Sequence, residues 1–197
     1  MKKIILIGVI VLAVLGLGIW LSQISKPTPA GPLPDAQAKT DGDFSSIPQE
    51  DQLRANMKSA GLDELSSEGT ALHIHQHLDL VINAKNIPVP AEIGIGGNFI
   101  SPLHTHDTTG VIHVESPVIK DFKLGQFFTE WGLQFTDSCI NGFCSNNTNK
   151  LVVGVNGEPI SDPVNYVLKP HDEIEVWYGL SSTTPDLIKS FNFDPGL

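Results

Sequence analysis

The sequence predicts an α+β protein, in which an N-terminal transmembrane helix precedes a mainly antiparallel β domain with one or two short helices. An uncharged apolar segment near the N-terminus predicts the transmembrane helix. Beyond it, several short runs alternate between apolar and polar residues, and two runs repeat apolar residues every three or four positions. Alternation is typical of half-buried strands and the longer repeat is typical of helices, so we expect both elements in one domain.

The composition excludes one broad class of partner. The chain has 197 residues, of which 22 are acidic and 12 are basic, giving a formal net charge of −10. Nucleic-acid binding depends on clustered Lys and Arg side chains that contact phosphates, so we expect no nucleic-acid partner. No run of basic residues follows the apolar segment, which argues against recognition of anionic lipid headgroups.

The apolar segment spans residues 4–21 and contains no charged side chain. As a helix it would be about 27 Å long, close to the roughly 30 Å of a bilayer core. Lys2 and Lys3 precede it, and positive charge favours the cytoplasmic side. We therefore predict that residues 1–22 are a single-pass signal anchor in the cell membrane, with the following domain outside the cytoplasm. A cleaved signal peptide is the alternative, although the cleavage-site match is poor.

The anchor is followed by a segment of different composition. Residues 23–45 are rich in proline, glycine and alanine and contain few large apolar side chains. Such a segment cannot bury enough apolar surface to fold alone, so we predict a flexible linker. Residues 46–197 are expected to form the extracytoplasmic domain, which is long enough to bury its own core.

The first predicted element of this domain is a helix over residues 48–60, where apolar residues recur on one helical face. Ser46 and Gln49 match the spacing of a capping box at its N-terminus. Gly61 suits its C-terminal end, because glycine adopts the left-handed conformation that often follows a helix.

Residues 71–82 form the clearest strand. Their even-numbered positions are apolar except for Gln76, whereas most odd-numbered positions are polar. Because alternate side chains of a strand point to opposite faces, one face should join the core. The opposite face then presents a row of four polar side chains, which are His73, His75, His77 and Asp79. A turn at residues 83–86 and a short return strand at residues 87–89 are expected next.

A second cluster of polar residues falls in a predicted hairpin at residues 101–115, with its turn at residues 107–110. If His106 faces Val111 across this hairpin, then His104 faces His113. Alternation then places four polar side chains on one face of the hairpin, namely His104, His106, His113 and Glu115.

The chain continues with a predicted helix at residues 124–131, whose aromatic stripe is more typical of a core than of a cofactor site. Cys139 and Cys144 follow it. Two cysteines this close together in an exported domain favour a disulfide. Free thiols and metal ligation are the alternatives.

The last third of the chain is predicted to complete the sheet. Residues 151–155 and 158–160 flank an Asn156-Gly157 turn, which is a strong hairpin signal. Alternating apolar residues predict a final strand at residues 174–178, and the tail that follows lacks periodicity.

Two resemblances rest on these segments. The order of a strand hairpin, a helix and two further strands, with residues 155–157 and 168–174 near the end, resembles a β-grasp (ubiquitin-like) domain. The strings at residues 73–79, 103–117 and 124–132 resemble a family of uncharacterised, membrane-anchored, histidine-rich prokaryotic proteins that lie outside the cytoplasm. The second resemblance covers most of the domain, and it implies a location but no activity.

The distribution of histidine predicts a metal site. Six of the seven histidines fall within residues 73–113. Imidazole nitrogen is the commonest protein ligand for transition metals, and strand residues i and i+2 lie on one face. We therefore predict a site for a transition-metal ion, Zn²⁺ or Cu²⁺, with His104, His106 and His113 as one ligand set.

The remaining polar side chains of both segments are candidates for the same site. His75 and His77 are expected to join the first set or to form a second one, with His73 as a further candidate. Three carboxylates are candidate ligands, hydrogen-bond partners of the imidazoles or a general base, and these are Asp79, Asp107 and Glu115. A pH-sensitive hydrogen-bond network and an inert polar face are the alternatives to metal binding.

Three classes of function follow from such a site. The leading one is a membrane-anchored extracytoplasmic protein that binds Zn²⁺ or Cu²⁺ for delivery, sensing or storage, because nothing in the sequence requires catalysis. The second is a zinc-dependent hydrolase or lyase, in which three histidines leave a fourth position for an activated water. The third is a surface interaction module with a structural metal. A buried site favours the enzyme, and a shallow exposed site favours the binding protein.

Overall fold

The computed structural model describes residues 42–197, and it confirms an α+β domain with a mainly antiparallel sheet and two α-helices. The elements in chain order are α1 (Glu50–Ala60), β1 (Leu72–Ile82), β2 (Lys85–Ile87), β3 (Leu103–His104), β4 (Val111–Ser116), α2 (Leu124–Trp131), β5 (Cys139–Ile140), β6 (Phe143–Cys144), β7 (Asn149–Val155), β8 (Glu158–Pro159) and β9 (Glu173–Leu180). The predicted anchor at residues 4–21 lies outside the described residues. From residue 42 onward, no helix has the length and apolar character needed to cross a bilayer.

The main sheet has seven strands in the order β3-β4-β1-β9-β7-β8, and β2 pairs with the end of β1. β1 lies near its middle, where it pairs antiparallel with β4 and parallel with β9. The β1–β4 pairing covers residues 72–77 of β1, and the β1–β9 pairing covers residues 77–82. The first half of β1 therefore pairs with β4, which belongs to the predicted hairpin at residues 101–115, hereafter the histidine hairpin. The second half of β1 pairs with β9, the last strand.

The apolar face of β1 packs into the core, as its alternation predicts. Leu78, Leu80 and Ile82 are buried there and belong to the same core cluster as the aromatic stripe of α2. Phe127 and Trp131 of that stripe are completely buried. This packing leaves the odd-numbered side chains of β1 on the opposite face of the sheet.

The helix ends follow the sequence only in part. Gly61 ends α1 in the left-handed conformation with φ +69°, as predicted. The prediction of a capping box at the start of α1 is wrong, because Gln49 is the N-cap and makes no side-chain capping hydrogen bond. The hydroxyl of Ser46 instead donates to the Asp43 carboxylate.

Residues 43 and 44, which precede the predicted boundary at residue 46, contact the folded domain. Phe44 is buried in the core and stacks on Phe143 with 6.2 Å between the ring centroids. The side-chain amide of Asn141 donates to the Asp43 carbonyl at 2.9 Å. These contacts attach the end of the predicted linker to the folded domain.

The histidine hairpin differs from its predicted form. His104 lies opposite His113, as expected. However, β3 ends at His104, so the predicted pair of His106 with Val111 does not form. The chain leaves the sheet at Thr105, whose amide donates to the Ile93 carbonyl at 3.1 Å and whose hydroxyl donates to the Pro90 carbonyl at 2.8 Å. Hydrogen bonds from Thr105 to residues 90–93 therefore replace those that a longer β3 would form with β4.

Three further predictions concern the turns. A disulfide joins Cys139 and Cys144, which are paired residues of the small β5–β6 hairpin. The hairpin around Asn156 and Gly157 is confirmed as β7 and β8. The return strand after β1 lies at Lys85–Ile87, slightly earlier than predicted, because its turn is shorter.

Candidate metal centre

Three adjacent strands bring the histidines together on the face opposite the core. β4 is the middle strand and carries His113 and Glu115. His75 of β1 pairs directly with His113, and His73 pairs with Glu115. On the other side of β4, His104 pairs with the same His113. The sheet register alone therefore gathers four imidazoles and a carboxylate around β4.

The donor atoms on the β1 side are close together. The Nε2 atoms of His73 and His75 are 3.2 Å apart, and His73 Nε2 is 3.2 Å from Glu115 Oε1. His113 Nδ1 lies 3.1 Å from the same carboxylate oxygen. The four side chains form one group that could hold a metal ion.

The donor atoms on the β3 side form an overlapping group. His104 and His106 share His113 and Glu115 with the first group. His106 Nε2 is 3.4 Å from Glu68 Oε1, and His104 Nε2 is 4.0 Å from both Glu68 Oε1 and Glu115 Oε1. Glu68 thus adds a second carboxylate on this side.

The tautomer of His104 follows from its contacts. Its ring is completely buried, and Nδ1 lies 3.0 Å from the Ser101 carbonyl oxygen. A carbonyl can only accept, so Nδ1 carries the hydrogen and Nε2 carries a lone pair. That Nε2 is buried and has no hydrogen-bond partner among the described residues. A buried, unsatisfied acceptor costs roughly 1–3 kcal/mol, and a bound cation would remove that cost.

The Glu130 side chain of α2 is completely buried in the helix layer. Neither oxygen of its carboxyl group has a hydrogen-bond partner among the described residues. Burial raises the pKa of Glu130 well above its ordinary value, because removal from water disfavours the charged form.

Burial keeps several of these imidazoles neutral. Desolvation, reinforced by neighbouring histidines, lowers the pKa of His75 from 6.5 to about 4 and that of His113 to about 4. Desolvation also lowers the pKa of His104 to about 3, against the opposing effect of its bond to Ser101. Metal ligands must be unprotonated, so these three side chains are in the binding form at neutral pH.

These pKa values predict an unusual pH dependence. As the pH of the metal-free protein falls, we expect the ring resonances of His75, His104 and His113 to show no titration until below about pH 5 in NMR spectra. The unfolded chain takes up these protons first, near pH 6.5, so these groups make folding less favourable as pH falls from about 6.5 towards 4. A midpoint near 6.5 for any of the three would contradict the prediction.

The cluster has a buried floor and an exposed rim. The side chains of His104 and Glu115 are 0% and 5% exposed, and they form the floor. Those of His73, His106 and Glu68 are 49%, 44% and 49% exposed, and they form the rim. The site is therefore open to solvent on one side.

The turn that carries His106 is held by its own contacts. The carboxylate of Asp107 accepts from the Thr109 amide at 2.8 Å and does not join the metal-binding groups among the described residues. Gly110 lies tightly against β1, because a Cβ atom there would be 2.6 Å from the Leu78 carbonyl oxygen. Asp107 thus shapes the turn instead of lining the cluster.

His77 belongs to a different group, with Asp79 and Glu173. Its Nε2 lies 2.8 Å from the Thr109 carbonyl and its Nδ1 lies 2.9 Å from Glu173 Oε2. Burial lowers the pKa of His77, but the hydrogen bond and charge of Glu173 outweigh it and raise the net value. Phe191 covers the ring, with the two planes 4° from parallel and the centroids 3.7 Å apart. The contacts are those of a buried ion pair.

His171 is the remaining histidine, and it lies in a turn. Its backbone amide donates to the His75 carbonyl at 2.7 Å, and its ring bonds to the Leu197 carbonyl at 2.9 Å. It belongs to none of the metal-binding groups within residues 42–197.

Sequence reasoning missed two carboxylates. Glu173 alternates with the apolar residues of β9, so its charged face was visible, but its place beside His77 depends on the parallel β1–β9 pairing. Glu68 lies in an irregular segment before β1 and gives no periodic signal. Only the folded structure brings Glu68 to His106.

The fold and this cluster define an α+β domain with histidine and glutamate groups that could hold a metal ion. Comparison of the chain with protein-family models, with curated proteins and with solved structures gave no match. Function must therefore be argued from the geometry of the cluster.

Proposed function

We propose that this protein is a membrane-anchored, extracytoplasmic binding protein for a divalent transition metal, Zn²⁺ or Cu²⁺, with a role in metal delivery, sensing or storage. The observation that carries the proposal is the convergence of imidazole and carboxylate donors around β4. The charge-free segment at residues 4–21 supports the anchor and the location.

The spacing of the donors suits a small tetrahedral coordination sphere. With metal–ligand bonds of about 2.0–2.1 Å, two ligand atoms of a tetrahedral Zn²⁺ are about 3.3 Å apart. The contacts His73–His75, His73–Glu115 and His113–Glu115 measure 3.2, 3.2 and 3.1 Å. Three of the donor contacts therefore already have the spacing of a tetrahedral site, and all four donors lie within 4.8 Å of one another.

The donor types favour particular metals. Imidazole and carboxylate suit Zn²⁺ and Cu²⁺, whereas Cu⁺ prefers thiolate and thioether ligands. Both cysteines are joined in a disulfide, and Met57 is buried in the core. The described residues therefore favour a divalent ion.

The open rim favours a binding protein over an enzyme. Three of the donor residues are substantially exposed, so a bound ion stays within reach of a partner molecule. A catalytic zinc site usually lies in a water-excluding cavity. A cavity of about 510 Å³ exists elsewhere in the domain, but its lining around Phe44, Ile87 and Val89 contains no histidine.

We also propose that the domain is β-grasp-like. Three features support this: β1 and β9 pair in parallel at the centre of the sheet, β4 and β7 flank them, and α2 connects β4 to the second half of the sheet.

The test of the metal-binding proposal is titration of the full chain with Zn²⁺ and with Cu²⁺ at neutral pH. We expect dissociation constants in the micromolar range or tighter, with no competition from excess Mg²⁺, because imidazole donors do not suit that hard cation. Binding no tighter than about millimolar, a gain of only about 4 kcal/mol, would refute the proposal.

A further inference from the structure

The cluster contains more donors than a single ion uses. Tetrahedral Zn²⁺ binds four ligands, whereas five imidazoles converge here with the carboxylates of Glu68 and Glu115. The donors that one ion would leave unused could coordinate a second ion.

The donors divide into two groups of unequal compactness. His73 and His75 lie on the β1 side, and His104 and His106 lie on the β3 side. Each pair groups separately with His113 and Glu115, whose strand runs between them. His113 and Glu115 therefore lie in the centre and belong to both groups, whereas each outer pair of histidines belongs to one group only.

Given the proposed function, on which this inference rests, we propose that the cluster is a dinuclear centre for two divalent transition-metal ions bridged by the Glu115 carboxylate. The other ligands of the first ion are His73, His75 and His113. The other ligands of the second ion are His104, His106 and Glu68. Each ion then has four ligands, counting one oxygen of Glu115 for each.

The first ion has the better-prepared site. Its donor contacts of 3.1–3.2 Å are close to the spacing of about 3.3 Å in a tetrahedral zinc site. On the other side, His106 is 3.4 Å from Glu68, while His104 is 4.0 Å from both carboxylates. The second ion must draw its ligands inward, so it should bind more weakly.

The electrostatics on the β3 side call for a cation. The carboxylates of Glu68 and Glu115 repel each other, and Glu68 adds to the effect of burial in raising the pKa of Glu115. His104 supplies a buried lone pair with no partner among the described residues. A divalent ion between these groups would offset the repulsion and satisfy the lone pair.

The sheet also sets a suitable separation between the two ions. Neighbouring strands lie about 4.8 Å apart, so ions above the β1–β4 and β4–β3 intervals would be separated by about the same distance. Known two-metal sites have spacings of about 3.5–4 Å, and side-chain movement can supply the difference.

The experiment counts ions in the full chain. Native mass spectrometry and elemental analysis should find two Zn²⁺ ions per chain after removal of loosely bound metal, and calorimetry should resolve a tighter and a weaker step. The double variant His106→Ala/Glu68→Gln should retain one ion. The control variant His171→Ala should retain both.

Cu²⁺ offers a second readout that does not depend on ion counting. Two Cu²⁺ ions this close together couple magnetically, so the EPR signal per copper of the fully loaded chain should fall well below that of the His106→Ala/Glu68→Gln variant. Equal signals per copper would overturn the proposal.

The outcomes separate this inference from the proposed function. Saturation at one ion would overturn the dinuclear centre and leave the metal-binding function intact. No binding tighter than about millimolar would refute both. Two ions in both the parent and the double variant would place the second ion elsewhere and overturn the dinuclear centre.

Discussion

Replacement of His113 by alanine is expected to cause the largest loss of metal affinity. His113 lies in the middle strand and belongs to both metal-binding groups. Changing a residue that only supports a ligand commonly weakens metal binding by about 10–100-fold, so removal of a ligand should weaken Zn²⁺ binding by at least about 100-fold. Competition titration with a chromogenic chelator would measure the change.

Two controls make this result specific. His171→Ala removes an imidazole that lies in a turn outside the metal-binding groups, and it should bind Zn²⁺ like the parent. The circular dichroism of His113→Ala without metal should match that of the parent, because the ring is not part of the core cluster. An unchanged affinity in a folded His113→Ala variant would show that the ion binds elsewhere.

The second large effect is on stability, and it concerns His77. Replacing His77 with alanine leaves the buried carboxylate of Glu173 without its ion-pair partner. Breaking a buried pair in this way typically costs about 3–5 kcal/mol of unfolding free energy. We expect a loss near about 3 kcal/mol in urea unfolding at neutral pH, because burial raises the pKa of Glu173 and eases its protonation.

A double variant separates the pair from the general cost of truncation. His77→Ala/Glu173→Ala leaves no unpaired charge, so its loss should be smaller than the sum of the two single losses. The loss in His77→Ala should also shrink as the pH falls towards the range where Glu173 gains a proton. Additive losses with no pH dependence would contradict an ion pair. Zn²⁺ binding near β4 should persist in His77→Ala.

The local features of the fold could be predicted well from the sequence. The alternation in β1 separates the aliphatic face from the histidine face, and the aromatic spacing marks α2. The Asn156-Gly157 pair marks its hairpin because both residues tolerate positive φ, here 53° and 84°. These patterns depend only on residues that are close in sequence, so contacts with distant residues do not change the elements that they predict.

The arrangement around the cluster could be predicted only in part. The pairing of His104 with His113 follows from turn geometry, but the place of β4 between β3 and β1 does not. Two strands that carry histidines on the same face can pair along either of their edges, and the sequence does not determine which edge is used. The parallel pairing that brings Glu173 to His77 joins residues almost a hundred positions apart, and no local pattern encodes it.

The prediction for His106 was wrong in its pairing for a similar reason. The hairpin pattern places His106 opposite Val111, but Thr105 forms hydrogen bonds with residues 90–93 and leaves the sheet. His106 nevertheless reaches the cluster from the loop, with its ring centroid 4.6 Å from that of His113. Competition from a distant loop decided where the strand ends.

The contrast between floor and rim bears on kinetics as well as affinity. An ion bound as proposed would be held by buried donors such as His104, while His73 and His106 lie at the solvent boundary. An acceptor molecule could then replace the exposed imidazoles one at a time before the buried ones dissociate. Transfer by such an associative route would release no free hydrated ion, and its rate would rise with the concentration of the acceptor.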